Sequence, residues 1–477
     1  MISLKDHMWL ESRVLENRIK QPLRGILGVL ISFAIFYAIW WIFMDVRGIM
    51  RWYTPQYGYM YVRWILIVVI WQAYIFNFWP FSKFREKAHP LVSGAVFILI
   101  NFALVGSVIW GFFYNFLGKL SIPYLSVDQL VQLHMTPFYA REYSSLAILM
   151  FAAIASWLSP IVPVCFGNHP WQNMKQPARG ITVFLVTLFA SVLFFFCLMH
   201  PHYHVLFWPF QEYAAAYPWW YSFAHTLHGN YNVGWVMCGT VAIWLLEITF
   251  DRYPFCLIHN KIIRGIVGFF GVFAFAMLLF YTFNFVQDLA WGPAVDGAKR
   301  IYAPDWRYLH SGELAIMMLI PAMILNFYFD NGPKKYSAPV NIALRLLIIL
   351  VSMGVFHALY YKFSPALLGT QAGYSHPQQF PMAPGILFIC CMLFHNWFMD
   401  LWPGKKRVGT RDILLDDDGE VMESRRDGTN PVLQPAMAME RTQAETMDRN
   451  RDAGAVGKGA DPGPRGLEKT PVPLGTD

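Results

Sequence analysis

The chain has 477 residues, of which 56% are hydrophobic and only 14% are charged. A soluble globular protein carries about 25% charged residues, so this composition excludes an ordinary soluble domain. The apolar residues form continuous runs of about 20 residues, the length that an α-helix needs to cross a bilayer. The net charge of +7 does not indicate a nucleic-acid partner, because the basic residues lie between these runs. We therefore predict an all-α integral membrane protein.

The predicted elements begin with a polar, basic segment over residues 1–24, which is followed by ten apolar runs between residues 25 and 402. No cleavage pattern follows the first run, so we predict an uncleaved first helix rather than a signal peptide. The ten predicted transmembrane helices lie near residues 25–45, 61–80, 91–116, 144–164, 180–200, 230–253, 265–286, 311–330, 342–361 and 384–402.

The ends of these helices repeat. Odd-numbered helices begin after a basic residue, at Arg24, Arg179, Arg264 and Arg345. Three of the even-numbered helices end in an acid or amide, then Asp or Asn four residues later, then a proline. Helix two has a weaker copy, Asn77 and Pro80, and helix four keeps only Ser159 with nearby prolines. Residues four apart share a helix face, so we expect these side chains to accept hydrogen bonds from the basic openings of neighbouring helices. We predict five helical hairpins in the same orientation, with an inner-side polar cluster of Glu247, Asp251, Asn326, Asp330, Asn396 and Asp400.

The basic residues between the runs predict the orientation. Residues 1–24 and the loops after even-numbered helices hold about twice as many Lys and Arg as the opposite loops, to which we assign Arg47, Arg51, Arg63 and Arg307. Both termini are therefore predicted to be cytoplasmic. Residues 403–477 are charged and then rich in Gly and Pro, which predicts a cytoplasmic tail of the disordered, low-complexity type. Such a tail is a candidate docking arm for protein partners.

Histidines concentrate on the predicted outer side. The stretch HPHYH at residues 200–204 places alternate imidazoles on one side if it is extended. His310 and Glu313 are three residues apart, a spacing that is used in the metal sites of helical bundles. We predict a metal site for copper, iron or zinc, formed by His200, His202, His204, His225, His228, His310 and Glu313. Haem is the alternative cofactor, with His357, which lies deeper, as a candidate cofactor-binding residue.

Two purely structural interpretations are the alternatives to these functional hypotheses. The histidines also fit a polar rim within an aromatic belt at the membrane interface, since Trp208, Trp219 and Trp220 lie in the same segment. The inner-side polar cluster fits a structural clamp at the helix ends as well as an ion or proton site.

Three functions follow from these alternatives. The first hypothesis is a membrane redox metalloprotein or oxygenase, or a subunit of one, that takes a lipophilic substrate or quinol. The second is a secondary transporter or channel that uses the acids at the inner ends of the even-numbered helices. The third is a non-catalytic membrane scaffold whose tail binds other proteins.

Overall fold

The computed structural model describes residues 13–54, 56–120, 125–199, 229–369, 380–410, 413–415 and 421–423. Contacts divide the chain into a first unit, Met1–Met422, and a second unit, Glu423–Asp477, of which only Glu423 lies among these residues. Within the described part, nine helices are long and apolar enough to cross a membrane. A tenth apolar helix, Met382–Phe398, is shorter. The chain thus has the helices of an all-α membrane protein, as its composition predicts.

The helices and strands are as follows. The helices, in chain order, are α1 Leu23–Met44, α2 Tyr57–Ile75, α3 Ser82–Lys87, α4 Pro90–Leu117, α5 Val127–Gln132, α6 Pro137–Phe166, α7 Ala178–Leu198, α8 Gly229–Ile248, α9 Lys261–Trp291, α10 Pro304–Tyr328, α11 Ala338–Leu368 and α12 Met382–Phe398. The strands are β1 Arg13–Asn17, β2 Lys405–Thr410, β3 Ile413–Leu415 and β4 Val421–Glu423.

Burial separates the long helices into two groups. In α2, α6, α8 and α10, between 78% and 100% of the most apolar stretch is buried, and every residue of α12 is buried. In α1, α4, α7, α9 and α11 the share is only 11–33%. The first group therefore forms the interior, and the second group presents apolar side chains outward, as lipid-facing helices do.

The five inner helices form a closed ring. Helix α2 packs against α6 and α12, α8 packs against α6 and α10, and α10 packs against α12. The outer helices cover the joints of this ring, since α1 packs on α10 and α12, α4 on α2 and α12, and α7 on α2 and α6. Helix α9 packs on α8, α10 and the end of α6, and α11 packs on α10.

Every inner helix ends in the same turn. Two consecutive residues adopt φ between +48° and +61°, and the second donates its backbone N–H to the carbonyl six residues earlier. This is a Schellman-type ending, and its first left-handed position holds Asn, Gly or Asp, the residue types that tolerate it. The five pairs are Asn77–Phe78, Gly167–Asn168, Asp251–Arg252, Asp330–Asn331 and Asp400–Leu401, and a proline follows each pair two residues later.

These turns end four of the five inner helices earlier than predicted, the exception being α6. Helix α2 ends at Ile75 rather than near residue 80, and α8 ends at Ile248 rather than near residue 253. The residues between the helix end and the proline belong to the turn, because a left-handed residue cannot continue a right-handed helix. The end of the ring that carries the five turns is called the proline end below.

Two outer helices begin with matching contacts to this end. The side chains of Gln21 and Gln176 each accept a hydrogen bond from the glycine N–H four residues later, at Gly25 and Gly180. Their amide groups also donate to the last carbonyls of an inner helix, at 2.5 Å to Tyr328 and 2.9 Å to Ile75. One side chain thus caps an outer helix and binds it to the ring.

Strand β1 precedes the first helix in the sequence, and β2, β3 and β4 follow the last helix. Strand β1 pairs with β2 in an antiparallel ladder, and β3 pairs with β4. Residues 405–410 fall in the segment that the sequence predicts as a disordered-type tail, but they form a strand because the N-terminal segment supplies a partner. The tail beyond Glu423 lies outside the described residues.

Aromatic side chains fill the axis of the ring toward the proline end. Tyr74 of α2, Trp244 of α8 and Trp397 of α12 contact one another, with ring centroids 5.1 to 5.8 Å apart. Helices α2 and α8 are not neighbours in the ring, so the contact between Tyr74 and Trp244 crosses its centre. A tight aromatic layer therefore closes the axis at this level.

Candidate functional site

A cavity of about 540 Å³ opens between the first turns of the five inner helices, at the end opposite the proline end. It is called the ring cavity here. Each inner helix contributes at least one wall residue, so the five helix N-termini all begin at this end. The wall is mostly apolar, and eight of its eighteen residues are aromatic or methionine: Tyr53, Tyr59, Tyr143, Trp306, Phe380, Met150, Met199 and Met382. Its polar residues are Gln56, Asn230, His310 and Glu313.

His310 and Glu313 form a buried pair in this wall. Their Nδ1 and Oε2 atoms are 2.7 Å apart, and both side chains are buried. The indole of Trp306 stacks on the imidazole, with 4.6 Å between ring centroids and 25° between planes. The pair lies two to three turns inside α10, roughly 9–14 Å from its start at Pro304. It is therefore deeper than the helix entry at which the sequence places it.

Glu313 is the electrostatic centre of a group of tyrosines. Its carboxylate acts on the hydroxyls of Tyr53, Tyr59, Tyr360 and Tyr361, which come from three different segments of the chain. Burial, and secondarily the charge of Glu313, raises the pKa of Tyr53 above its ordinary value. A tyrosine with an ordinary pKa is already protonated at neutral pH, so Tyr53 can donate a hydrogen bond into the cavity, which it lines.

Arg63 lies directly beneath the cavity floor. It is fully buried, and its Nε donates to the Tyr59 hydroxyl at 3.0 Å. Its Nη1 donates to Ser156 Oγ at 3.0 Å, and its Nη2 contacts the sulfur of Met237. Met237 belongs to α8, which does not adjoin α2 in the ring, so the guanidinium lies across the axis. Arg63 was counted with the outer loops in the charge comparison, although the helix predicted near residues 61–80 includes it. Helix α2 begins at Tyr57 and encloses Arg63, so it does not belong to a loop.

Arg307 corrects the sequence prediction in the same way. It was expected in a loop but lies buried within α10. Its guanidinium contacts Asp288 near the end of α9 and donates to the carbonyls of Ile301, at 2.7 Å, and Gly292, at 2.6 Å. Arg307 thus satisfies backbone carbonyls after α9 that the helix itself leaves open.

The predicted metal ligands divide into two sets. His310 and Glu313 are brought together, and His357 lies within electrostatic range of His310 without lining the cavity. Among the residues that the structure describes, no three His, Cys, Asp or Glu side chains form a group that could hold a metal ion. The other candidates lie outside the described residues, and these are His200, His202, His204, His225 and His228.

His357 has a further unusual feature. Its ring packs on Tyr361 at 4.8 Å between centroids, and its Nδ1 is buried without a hydrogen-bond partner among the described residues. A buried nitrogen of this kind is costly unless a ligand or water satisfies it. The position of His357 on α11 places it beside the tyrosines that respond to Glu313.

The inner-side polar cluster occupies the proline end. Asp251 accepts from Arg345 at 2.7 Å, and Asp330 contacts Arg24, so the predicted pairing of helix ends with basic openings is found at both. Asp400 accepts from Arg85 at 2.7 Å and from Arg407 Nε at 2.8 Å. Glu247 accepts from Arg252 at 2.7 Å, Asn326 donates to the carbonyl of Ile248 at 2.7 Å, and Asn396 is buried nearby.

Sequence reasoning missed most of the ring cavity. Tyr53, Tyr59 and Trp306 come from segments that carry no motif, and only the fold brings them together. Arg63 did carry a signal, because it stands directly before the apolar stretch WILIVVIW, and ionisable residues in membrane helices are candidates for function.

Comparison with known proteins gives no relative: no family model, no curated protein and no solved structure matches the chain.

Proposed function

We propose that the chain is a membrane redox metalloprotein or oxygenase, or a subunit of one, and that its ring cavity binds a lipophilic substrate of the quinol type. The observation that carries this proposal is the His310–Glu313 pair, buried in the wall of a cavity between the inner helices. A pocket that is mostly apolar, with a few convergent polar groups, is the usual form of a small-molecule site.

The chemistry of a quinol suits this wall. A quinol head carries two hydroxyl groups on an aromatic ring, which can stack among Tyr53, Tyr59 and Trp306 while one hydroxyl donates to the His310–Glu313 pair. Oxidation of a quinol to a quinone releases two protons and two electrons. We assign the role of general base to the carboxylate–imidazole pair of Glu313 and His310. The two electrons require a metal or haem acceptor.

The histidine-rich segment is the proposed source of that acceptor. Residues 200–228 directly follow Met199, and only Gly229 separates them from Asn230. Both Met199 and Asn230 line the cavity. The segment that carries His200, His202, His204, His225 and His228 is therefore joined to the cavity wall at each end. Together with His310 and Glu313, these imidazoles are the proposed ligands for copper, iron or zinc, and His357 is the candidate for haem.

Binding of a short-chain quinol tests the substrate. We expect calorimetry on the full chain in nanodiscs to show one decylubiquinol per protein. Glu313→Gln and His310→Gln should each weaken binding about tenfold or more, because each removes a buried charge-assisted hydrogen bond. Glu86→Gln, in the short helix α3, and His259→Gln, in a loop, are matched controls, because both side chains are exposed at the proline end. Absent binding, or equal losses in the controls, would contradict the proposal.

Metal content tests the cofactor. Elemental analysis with optical and EPR spectra of the purified full chain should give a stoichiometric metal or haem. The signal should shift in Glu313→Gln and stay unchanged in Glu86→Gln. If the chain binds the quinol but carries no metal or haem, the proposed substrate site is supported and the proposed redox function is refuted.

We also propose that the inner-side polar cluster is a structural clamp rather than a transport site. The support is that Glu247, Asp251, Asp330 and Asp400 are each held by an arginine, and that the aromatic layer of Tyr74, Trp244 and Trp397 fills the axis beside them. Ion flux in proteoliposomes that Glu247→Gln abolished would overturn this assignment.

The architecture that we propose is five hairpins, each an outer helix followed by an inner helix, with ten spans in total. The five matching helix ends and the alternation of outer and inner helices support it. The excess of basic residues supports a cytoplasmic proline end, with both termini inside and the ring cavity outside. Single cysteines at Lys261 and Leu133, in a background without reactive thiols, should react with a membrane-impermeant maleimide only from the inside and outside, respectively.

A further inference from the structure

An apolar groove of about 580 Å³ runs between two of the outer helices, α7 and α9, over the end of α6. It is called the outer groove here. Its walls include Leu158 and Ile161 of α6, Val186 and Ala190 of α7, and Ile266 and Phe270 of α9. Val186, Ile266 and Phe270 are exposed, so the outer groove opens on the outward, apolar surface of the protein. Ile262, the second residue of α9, also lines it, so the groove starts at the proline end and continues for roughly 12 Å to Phe270.

The mouth of the outer groove is polar and lies beside Arg179. His169, in the loop between α6 and α7, lines the groove, and its Nδ1 is 3.1 Å from Oε1 of Gln172. The backbone carbonyl of Gln172 is in turn 3.5 Å from Nη1 of Arg179. Arg179 also shares a face of α7 with Val186 and Ala190, which lie seven and eleven residues further along the helix. The guanidinium of Arg179 therefore lies at the mouth, above the apolar part of the groove.

Arg179 lacks the carboxylate that its counterpart in α1 has. At the opening of α1, the capping glutamine binds an inner-helix carbonyl, and the residue two positions after that carbonyl is Asp330, which contacts Arg24. At the opening of α7, the glutamine makes the same contact, but the residue two positions later is Asn77. Arg24 and Arg179 each stand one residue before the capped glycine. A neutral amide thus occupies the position from which the repeat would supply a carboxylate to Arg179.

The contacts of Arg179 agree with this comparison. Among the described residues it has no ion pair, and its one hydrogen bond is the long contact with the carbonyl of Gln172. The side chain is half-buried rather than fully solvated. A guanidinium has five N–H donors and cannot lose its charge, so Arg179 can still bind an anion.

The segments that form the outer groove carry cations and no acid. Residues 143–211 and 252–287 include all of its walls and contain no Asp or Glu. The Lys and Arg residues of these two segments are Lys175, Arg179, Arg252, Lys261 and Arg264. The two acids at the end of the neighbouring α8 are already bound, Glu247 by Arg252 and Asp251 by Arg345 of α11. The segments around the mouth therefore have a net positive charge.

We propose that the outer groove binds an anionic phospholipid, with an acyl chain between α7 and α9 and the phosphate at Arg179. A phosphate can accept paired hydrogen bonds from a guanidinium, and it replaces the carboxylate that Asn77 does not provide. Basic pockets between transmembrane helices are suited to anionic lipid head groups. The outer groove shares no residue with the ring cavity, so this proposal does not depend on the quinol function.

The test compares two lipids with the same chains and different heads, together with a head that has no chains. Dioleoylphosphatidylglycerol, dioleoylphosphatidylcholine and glycerol phosphate are titrated separately into the full chain in detergent, and bound species are counted by native mass spectrometry. We expect the phosphatidylglycerol to bind about fivefold or more tightly than the phosphatidylcholine, and glycerol phosphate to bind most weakly. Equal affinities for the two lipids, or glycerol phosphate binding as tight as that of the phosphatidylglycerol, would overturn the proposal.

Variants assign the head-group preference to Arg179. Arg179→Gln should bring the ratio of the two lipid affinities close to one. Arg18→Gln removes an exposed arginine at the same end of the molecule and should leave the ratio unchanged. Asn77→Asp should lower the ratio, because it supplies the carboxylate that Asp330 provides in the matching opening. An unchanged ratio in Arg179→Gln or in Asn77→Asp would refute the role of Arg179.

A second pair of variants tests the groove itself. Ala190→Phe fills the groove and should weaken the binding of both lipids several-fold. Ala103→Phe places the same ring on an exposed face of α4 and should leave binding unchanged. The other candidate occupant is a second copy of the chain. If Ala190→Phe turns a dimer into a monomer and leaves lipid binding intact, the groove is an interface between copies and the lipid proposal is overturned.

Discussion

The two ends of the ring treat charge in opposite ways. At the proline end, Asp251, Asp330 and Asp400 each contact an arginine from a different segment of the chain. These arginines are Arg345 within α11, Arg24 at the start of α1 and Arg85 in the last turn of α3. At the cavity end, Arg63 meets only neutral groups, and Glu313 meets an imidazole rather than a full cation. The Arg307–Asp288 ion pair also lies at the cavity end, so the contrast concerns the groups beside the cavity: among the described residues, Arg63 has no carboxylate partner and Glu313 has no arginine partner.

This difference separates polar groups that hold the fold from those that can serve a ligand. A buried ion pair whose charges neutralise each other attracts a ligand only weakly. Removing one partner leaves the other charge buried without compensation, which destabilises the fold. The positive potential of a buried cation that no carboxylate contacts extends into the space around it. The following predictions test whether the two ends differ in this way, from the largest expected effect to the smallest.

Asp400→Asn should be the most destabilising of these changes. The Asp400 side chain is only 1% exposed and binds two arginines, so the variant leaves Arg85 and Arg407 around a neutral amide. We expect a loss of about 3–5 kcal/mol in the free energy of unfolding, measured by denaturant titration of the detergent-solubilised chain. A loss below 1 kcal/mol would show that the proline end does not depend on this charge cluster.

Gly234→Ala should destabilise the cavity end through packing rather than charge. A Cβ at this position would lie 2.3 Å from the carbonyl oxygen of Tyr308, so α8 and α10 would have to move apart. We expect a loss of about 1–3 kcal/mol in the same titration. The matched control is Gly354→Ala, in a helix where a Cβ meets nothing within 4 Å. Equal stability of the two variants would contradict close packing at this end.

Trp306→Leu should weaken ligand binding with little effect on stability. Trp306 lines the cavity, and in our proposal its ring stacks on the quinol head, a contact worth about 0.5–1.5 kcal/mol for aromatic pairs. The dissociation constant for decylubiquinol should therefore rise about two- to tenfold by calorimetry. Trp79→Leu, in an exposed position at the proline end, should leave it unchanged.

Asp330→Asn should have the smallest effect. The Asp330 side chain is 45% exposed, so water already screens its contacts with Arg24 and Lys405. We expect a loss of about 1 kcal/mol or less, well below that of Asp400→Asn. A loss as large as that of Asp400→Asn would mean that the burial of an ion pair at this end does not determine how much it contributes to stability.

The helix ends show what the sequence could and could not predict. The acid-and-proline pattern pointed to the contacts of Asp251 and Asp330 because charge pairing depends on residue type and spacing. The same pattern missed the end of α6, where Gly167 replaces the acid. A left-handed backbone is the shared requirement there, and glycine meets it without any charge.

The ring cavity was beyond the reach of a sequence pattern. Its wall combines Tyr59, Met150, Asn230, Glu313 and Met382, which come from five helices spread along the chain. No local spacing encodes their convergence, which follows from the closure of the ring. The His310–Glu313 pair was predictable because three residues along a helix suffice to bring two side chains together. The histidines of residues 200–228 remain a prediction.

Closure of the ring also constrains how the protein can be made. The outer helix α1 packs on α10 and α12, and β1 pairs with β2, so segments that are synthesised early dock on segments that are synthesised much later. Arg63 is likewise synthesised before its partners Ser156 and Met237. Until then it depends on other partners, such as water, lipid head groups or an insertion factor. The N-terminal hairpin is therefore the part of the nascent chain that waits longest for its native neighbours.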